Sequence, residues 1–293
     1  MTHASTSSNV LSQLNLNTHY LRKLAAPEFS ANVPEPDEDA RWAIAERRWM
    51  KEEEQRCDLT VLPQSPSAFL DWYRALFKRQ LAQSAGLFDH LASSASLTEM
   101  ALYICLEEQV DGRFDDVIAL AQIGLGGDAK LALARNYWDE MGAGRREEMH
   151  THLFNQSAAY FKRVLARSVL TEQLAHATEA LKNGNMLLLM ALNRRYALRL
   201  IGALTLLEHT APHRFSRVVQ GMRRLDVPES TIYYHEMHIR VDARHGDDLL
   251  NDIVTPMVSR QPDVIREIAL GMLIRCNIAT DYYDRIGHFM DMS

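Results

Sequence analysis

The chain has 293 residues, 47% hydrophobic and 24% charged, with a net charge of −6. That balance predicts a soluble globular protein of one large or two small domains, long enough for a sizeable core. A net negative chain without clustered lysine and arginine argues against a nucleic-acid partner held on a basic face. Cys57, Cys105 and Cys276 lie far apart and no CxxC pair occurs, which argues against a thiolate zinc site and a disulfide framework and points to a reducing, cytoplasmic compartment.

The opening segment, MTHASTSSNV, lacks a basic stretch followed by an apolar one, so no secretory leader is expected. Residues 1–36 are mostly polar, run into VPEPDED, and predict a flexible arm. Residues 37–92 predict an N-terminal helical extension: a charged amphipathic helix over 38–56, then a second helix after Pro66 capped by Ser65 or Ser67. SSAS at 93–96 breaks the pattern, and a helix is predicted over 97–122. GLGGD at 124–128 reads as a turn; no strand precedes it, which argues against a phosphate loop. Further helices are predicted at 128–141, 145–166, 168–183, 185–210, 213–224, 228–258 with a break near Gly246, and 261–290. MLLLMAL at 186–192 is closed by Arg194 and Arg195, so it reads as a buried helix and no membrane span is expected. The expected fold is all-α, with residues 93–293 as the main helical domain.

One stretch departs from this pattern. In HEMHIRVDARH, residues 235–245, helical rotation of about 100° per residue puts Asp242 near +40°, His245 near −20° and His235 near +60° of His238. Glu236, Arg240 and Arg244 fall on the other side. A stripe of imidazoles and a carboxylate replaces the apolar face an amphipathic helix should present. Burying Asp242 costs several kcal/mol unless it is paired or metal-bound, and the donor set suits iron, manganese or zinc. His235 reads as support for the ligands.

Other helices offer carboxylates to close such a site. Glu208 ends an apolar helix on the side of Ala197, Ile201 and Leu204. The segment NYWDEMGAGRREEMHTHLF holds Glu140, Glu147, Glu148, His150 and His152. Glu147 and His150 form an ExxH pair, but the second ExxH of a ferritin-like diiron protein is missing. YICLEEQVDGRFDDVIAL contributes Glu107 or Glu108.

The order of an upstream Glu, NYWDEMGAGRREEMH, Glu208 and HxxxDxxH resembles the haem-oxygenase-like diiron oxidases, an iron-containing redox enzyme family. The resemblance spans roughly residues 95–260. It implies a haem-oxygenase-like helical bundle and two ferrous ions, with O2 as cosubstrate. It further implies that Glu140 (or Glu147), His150 and His245 hold one iron, and that Glu107 (or Glu108), Glu208, His238 and Asp242 hold or bridge the other. The implied activity is O2-dependent oxidation of a small metabolite. An amino acid or derivative undergoing N-oxygenation or oxidative C–C cleavage is preferred, with Arg194 as a carboxylate clamp. A fatty-acid decarboxylase, a non-catalytic metal-binding protein, and a haem-handling enzyme using His19 are the alternatives. The expected partner is a small molecule; an external electron donor and a homodimer are compatible with this reading.

Overall fold

The structure, a computed structural model, describes residues 2–24, 36–166, 168, 170 and 177–291. Among these residues every regular element is helical. In chain order they are α1 (Thr2–Leu24), α2 (Pro36–Gln55), α3 (Pro66–Ser93), α4 (Leu97–Asp111), α5 (Phe114–Ala121), α6 (Gly127–Glu140), α7 (His150–Leu165), α8 (Thr178–Leu192), α9 (Ala197–Arg224), α10 (Glu229–Asp248), α11 (Thr255–Arg260) and α12 (Ile265–Phe289). A π-helical segment, Leu249–Val254, joins α10 to α11.

Helix starts follow local chemistry. Ser65 accepts from the Ala68 amide and caps α3, with Pro66 in its first turn. Ser96 and Glu99 satisfy each other's backbone amides in a capping box that opens α4. The single helix expected over 97–122 is interrupted at Gly112 and Arg113 into α4 and α5.

Helix α9 is the central rod. It packs against α10, α12, α3 and α8. Pro212 does not stop it, contrary to the expected break. Proline removes the bond its own nitrogen would give to the carbonyl four residues back and crowds that carbonyl, a local cost. Burial on several sides, from Leu200 to Met222, holds the remaining turns together. α3, expected to belong to an N-terminal extension, packs on α9 and α12, and its Phe69, Tyr73 and Leu76 share a buried cluster with Leu200 and Leu204 of α9.

Residues 2–24 correct the expectation of a flexible arm. They form α1, which packs on α8. Leu16, His19 and Tyr20, at helical spacing, are buried, and Asn17 Nδ2 donates to Asn185 Oδ1 at 2.8 Å. The polar average of the segment hides this short stripe, which a partner helix is needed to complete. Residues 25–35 lie outside the described residues, as do 171–176, on which much of the helix expected over 168–183 falls.

Candidate metal centre

Two local devices bring the acidic and imidazole groups together. The first is the reversal between α6 and α7. Gly142, Ala143 and Gly144 carry positive φ of 60°, 52° and 85°. A Cβ on Gly142 would meet the Glu148 carbonyl carbon at 2.5 Å, so only glycine fits there. The turn folds His150, the first residue of α7, back on Glu140, the last of α6; His150 Nδ1 lies 2.9 Å from Glu140 Oε2. The second device is the close approach of α9 and α10. A Cβ on Gly246 would come within 2.3 Å of the His209 ring. That closeness sets Glu208 of α9 against the buried stripe of α10.

The stripe is as the helical spacing predicts. His235, His238, Asp242 and His245 are buried, whereas Arg240 and Arg244 are exposed. Two groups result: Glu140, His150 and His238, and Glu208, Asp242 and His245. All six residues are buried, and within each group the potential ligand atoms lie within 4.8 Å of one another. An ion held at about 2.1 Å from each donor has a coordination sphere about 4.2 Å across, so each group has the span of a single site.

The protonation chemistry fits a pair of cations. His238 Nδ1 donates to the Tyr234 carbonyl at 2.6 Å, which fixes the tautomer and leaves Nε2 facing His150 Nδ1 at 3.1 Å. Burial, aided by the neighbouring His150, holds its pKa well below the ordinary imidazole range, so it is a neutral donor. His245 Nε2 lies 3.0 Å from Asp139 Oδ2, and its Nδ1 is buried without a hydrogen-bond partner, 3.7 Å from Glu208 Oε1. Burial opposes its protonation, but Glu208 and Asp139 outweigh that and raise its pKa. Burial first, and the Glu208 charge second, hold the Asp242 carboxyl well above the usual range. Crowded buried carboxylates with an orphaned imidazole nitrogen among them are what a divalent ion would satisfy.

The partition differs from the expected one. His238 joins Glu140 and His150, and His245 joins Glu208 and Asp242, the reverse of the expected sharing. The reason is the course of α10, which packs on α7 as well as on α9. His238 meets His150 of α7, whereas His245 lies beside Glu208 of α9.

Glu107 is not brought into either group. Arg214 Nη1 donates to its Oε2 at 2.8 Å and the Tyr282 hydroxyl to its Oε1 at 2.7 Å. Glu108 faces outward to Lys162, Glu147 is exposed in the turn before α7, and Glu148 accepts from the Tyr233 hydroxyl. His235 is buried with Nδ1 unpartnered but stands outside both groups, edge-on to Phe215. Arg194 is exposed, and its guanidinium lies over Gly124 in the turn before α6. His19 is stacked on Trp42 between α1 and α2, and burial lowers its pKa to about 4.

Three residues near the centre escaped the sequence reading. Asp111, one turn after Glu107, is buried with Oδ2 unpartnered, and its carboxyl is held high by burial and then by Glu107, with Glu140 also contributing. Asn136 donates to Glu208 Oε1 at 3.0 Å. Asp139 fastens His245 and is itself paired with Arg244. The spacing of four between Glu107 and Asp111 is a legible signal; Asn136 and Asp139 carry none without the fold.

A helical bundle that buries two carboxylate–imidazole groups between α6, α7, α9 and α10 defines a class of all-α protein with two candidate metal sites. The signature of the iron-containing redox enzyme family matches residues 102–280, and the chain belongs to that family. Its fold is haem-oxygenase-like. It is similar to the crystal structure of a domain of unknown function with a heme oxygenase-like fold from Shewanella denitrificans OS217, with a TM-score of 0.55 and 14% identity over 77% of this chain and 93% of that one. No curated protein matches the chain by sequence.

Proposed function

We propose that the protein is a non-haem diiron oxidase or oxygenase that uses O2 to oxidise a small metabolite, with an amino acid or derivative as the preferred substrate class. The observation that carries this reading is the pair of buried three-residue groups strung along one face of α10, inside a chain of an iron-containing redox family.

Glu140, His150 and His238 would hold one ferrous ion, and Glu208, Asp242 and His245 the other, with Asp111 as the nearby carboxylate of α4 in place of Glu107. Bound there, two ferrous ions would supply the two electrons needed to reduce O2. The chain's own residues do the rest. The Tyr234 carbonyl holds the proton on His238 Nδ1 and turns Nε2 towards His150; Asp139 accepts from His245 Nε2 and turns Nδ1 towards Glu208, so a bound ion would displace the Nδ1 proton. Asn136 steadies Glu208 through one oxygen and leaves the other to coordinate. Burial of all six donors keeps bulk water from the centre.

The test is anaerobic Fe(II) addition to the metal-free protein followed by O2. About two irons per chain and a transient visible band are expected. His238→Ala should lose iron at one group at least. Retention of both irons in that variant overturns the ligand assignment, and binding without any O2-dependent spectral change leaves a non-catalytic metal protein.

A further inference from the structure

Behind the metal centre lies a second buried polar cluster with a different character. Arg214 of α9 and Arg275 of α12 are each only 5% exposed. Arg214 is paired with Glu107, whose other oxygen is taken by Tyr282. Arg275 donates to the amide oxygen of Asn183 and makes no ion pair with any carboxylate among the described residues. Burial pulls the Arg275 pKa below its ordinary range, against the partial support of Tyr283.

The donors around these guanidiniums are incompletely used. Arg214 Nε and both amide atoms of Gln80 are buried without hydrogen-bond partners. Arg214, Arg275 and Gln80 line one small, partly open space of about 10 Å³, together with Ser84, Thr210 and Tyr283. That is the room of about one water-sized atom. A buried cation without a counter-charge costs several kcal/mol, and orphaned donors around a cavity add to it. The unpaired Arg275 charge and two of these atoms, the donors Arg214 Nε and Gln80 Nε2, call for an acceptor with negative charge; Gln80 Oε1, itself an acceptor, is not satisfied by it. The cluster abuts the centre through Phe215, which contacts both the Arg214 guanidinium and the His238 ring.

We infer that Arg214, Arg275 and Gln80 form a buried anion subsite beside the metal centre, which receives an oxygen of the substrate's carboxylate. Guanidinium groups and a primary amide present N–H donors to such an oxygen. This assigns to buried arginines of α9 and α12 the role expected of Arg194. The identification of the anion as the substrate's rests on the proposed function; the subsite itself does not need iron.

The experiment uses the full-length, metal-free chain and reads its thermal midpoint at constant ionic strength. Sodium formate, the smallest carboxylate, which needs to place only one oxygen in the space, is titrated against the bulkier sodium methanesulfonate and against sodium chloride. A saturable rise in Tm with formate and none with methanesulfonate is expected. Arg275→Met should abolish the formate response and, in methanesulfonate alone, have a midpoint no lower than the parent, because it removes an uncompensated charge. Arg275→Lys should keep a weakened response.

Identical parent midpoints in formate and methanesulfonate overturn the proposal, and this comparison decides it even if the methionine variant fails to fold. So does an undiminished formate response in Arg275→Met, or a lower starting midpoint, which would mean that the guanidinium is already satisfied. A response to chloride alone makes the space a halide site and overturns the carboxylate assignment. Iron stoichiometry and the O2-dependent band, measured on the same preparation, separate failure of this subsite from failure of the diiron reading.

Discussion

Asp242 shows how a metal site is built against the stability of its own fold. An unfolded aspartate loses its proton near pH 4, and in the folded chain burial and Glu208 hold that proton to higher pH. The folded state thus binds more protons than the unfolded one, and the metal-free fold loses stability as pH rises from about 4 towards neutrality. Asp242→Asn removes this penalty: at pH 7 the metal-free variant should melt above the parent, while metal titration shows the loss of one site. A lower midpoint would mean that Asp242 is satisfied without metal. Asp139 acts one step further out. Asp139→Leu removes the acceptor that fixes His245 and should weaken metal binding by about 10–100-fold, read by competition titration with Co(II). Asp139→Asn, which can still accept from His245 Nε2, should fall between it and the parent.

At the scale of elements, the turn between α6 and α7 does the most with the fewest residues. Gly142→Ala forces a Cβ against the Glu148 carbonyl in a left-handed backbone, at a cost of about 1–3 kcal/mol, and should part Glu140 from His150. Chemical denaturation should show the first effect and loss of metal from that group the second. For α1, Tyr20→Ala empties a fully buried ring site between helices and should cost about 3–5 kcal/mol; a cost near zero would show that α1 contributes little to the core. The ligand stripe of α10 was legible because helical rotation depends on spacing alone. The docking of α1 was not, because its buried residues mean nothing without α8. Nor was the passage of α9 through Pro212, where packing on several sides overrides a local stop signal. The division of His238 and His245 between groups depends on which neighbour each end of α10 meets, and that is tertiary information.

For the whole molecule, stability and metal content are linked. Binding to the folded state alone raises the midpoint with free metal concentration, and proton release from Asp242 and its neighbours makes binding weaken as pH falls. Chelation of the iron-loaded protein should therefore lower Tm at pH 7.5, with a smaller shift at pH 5.5. Equal shifts at both values would mean that the carboxylates bind metal without giving up protons. Among the described residues no helix is long and apolar enough to cross a membrane, and the three cysteines are buried and free.

The single helix α10 carries donors for both groups, His238 for one and Asp242 with His245 for the other. This imposes a reading frame. One residue inserted between His238 and Asp242 would turn everything beyond it by about 100°, swinging Asp242 and His245 away from Glu208 while leaving His238 in place. Substitutions at exposed positions such as Arg240 should be tolerated, but a one-residue change of length at the same point should leave a helix of nearly the same composition with half a centre.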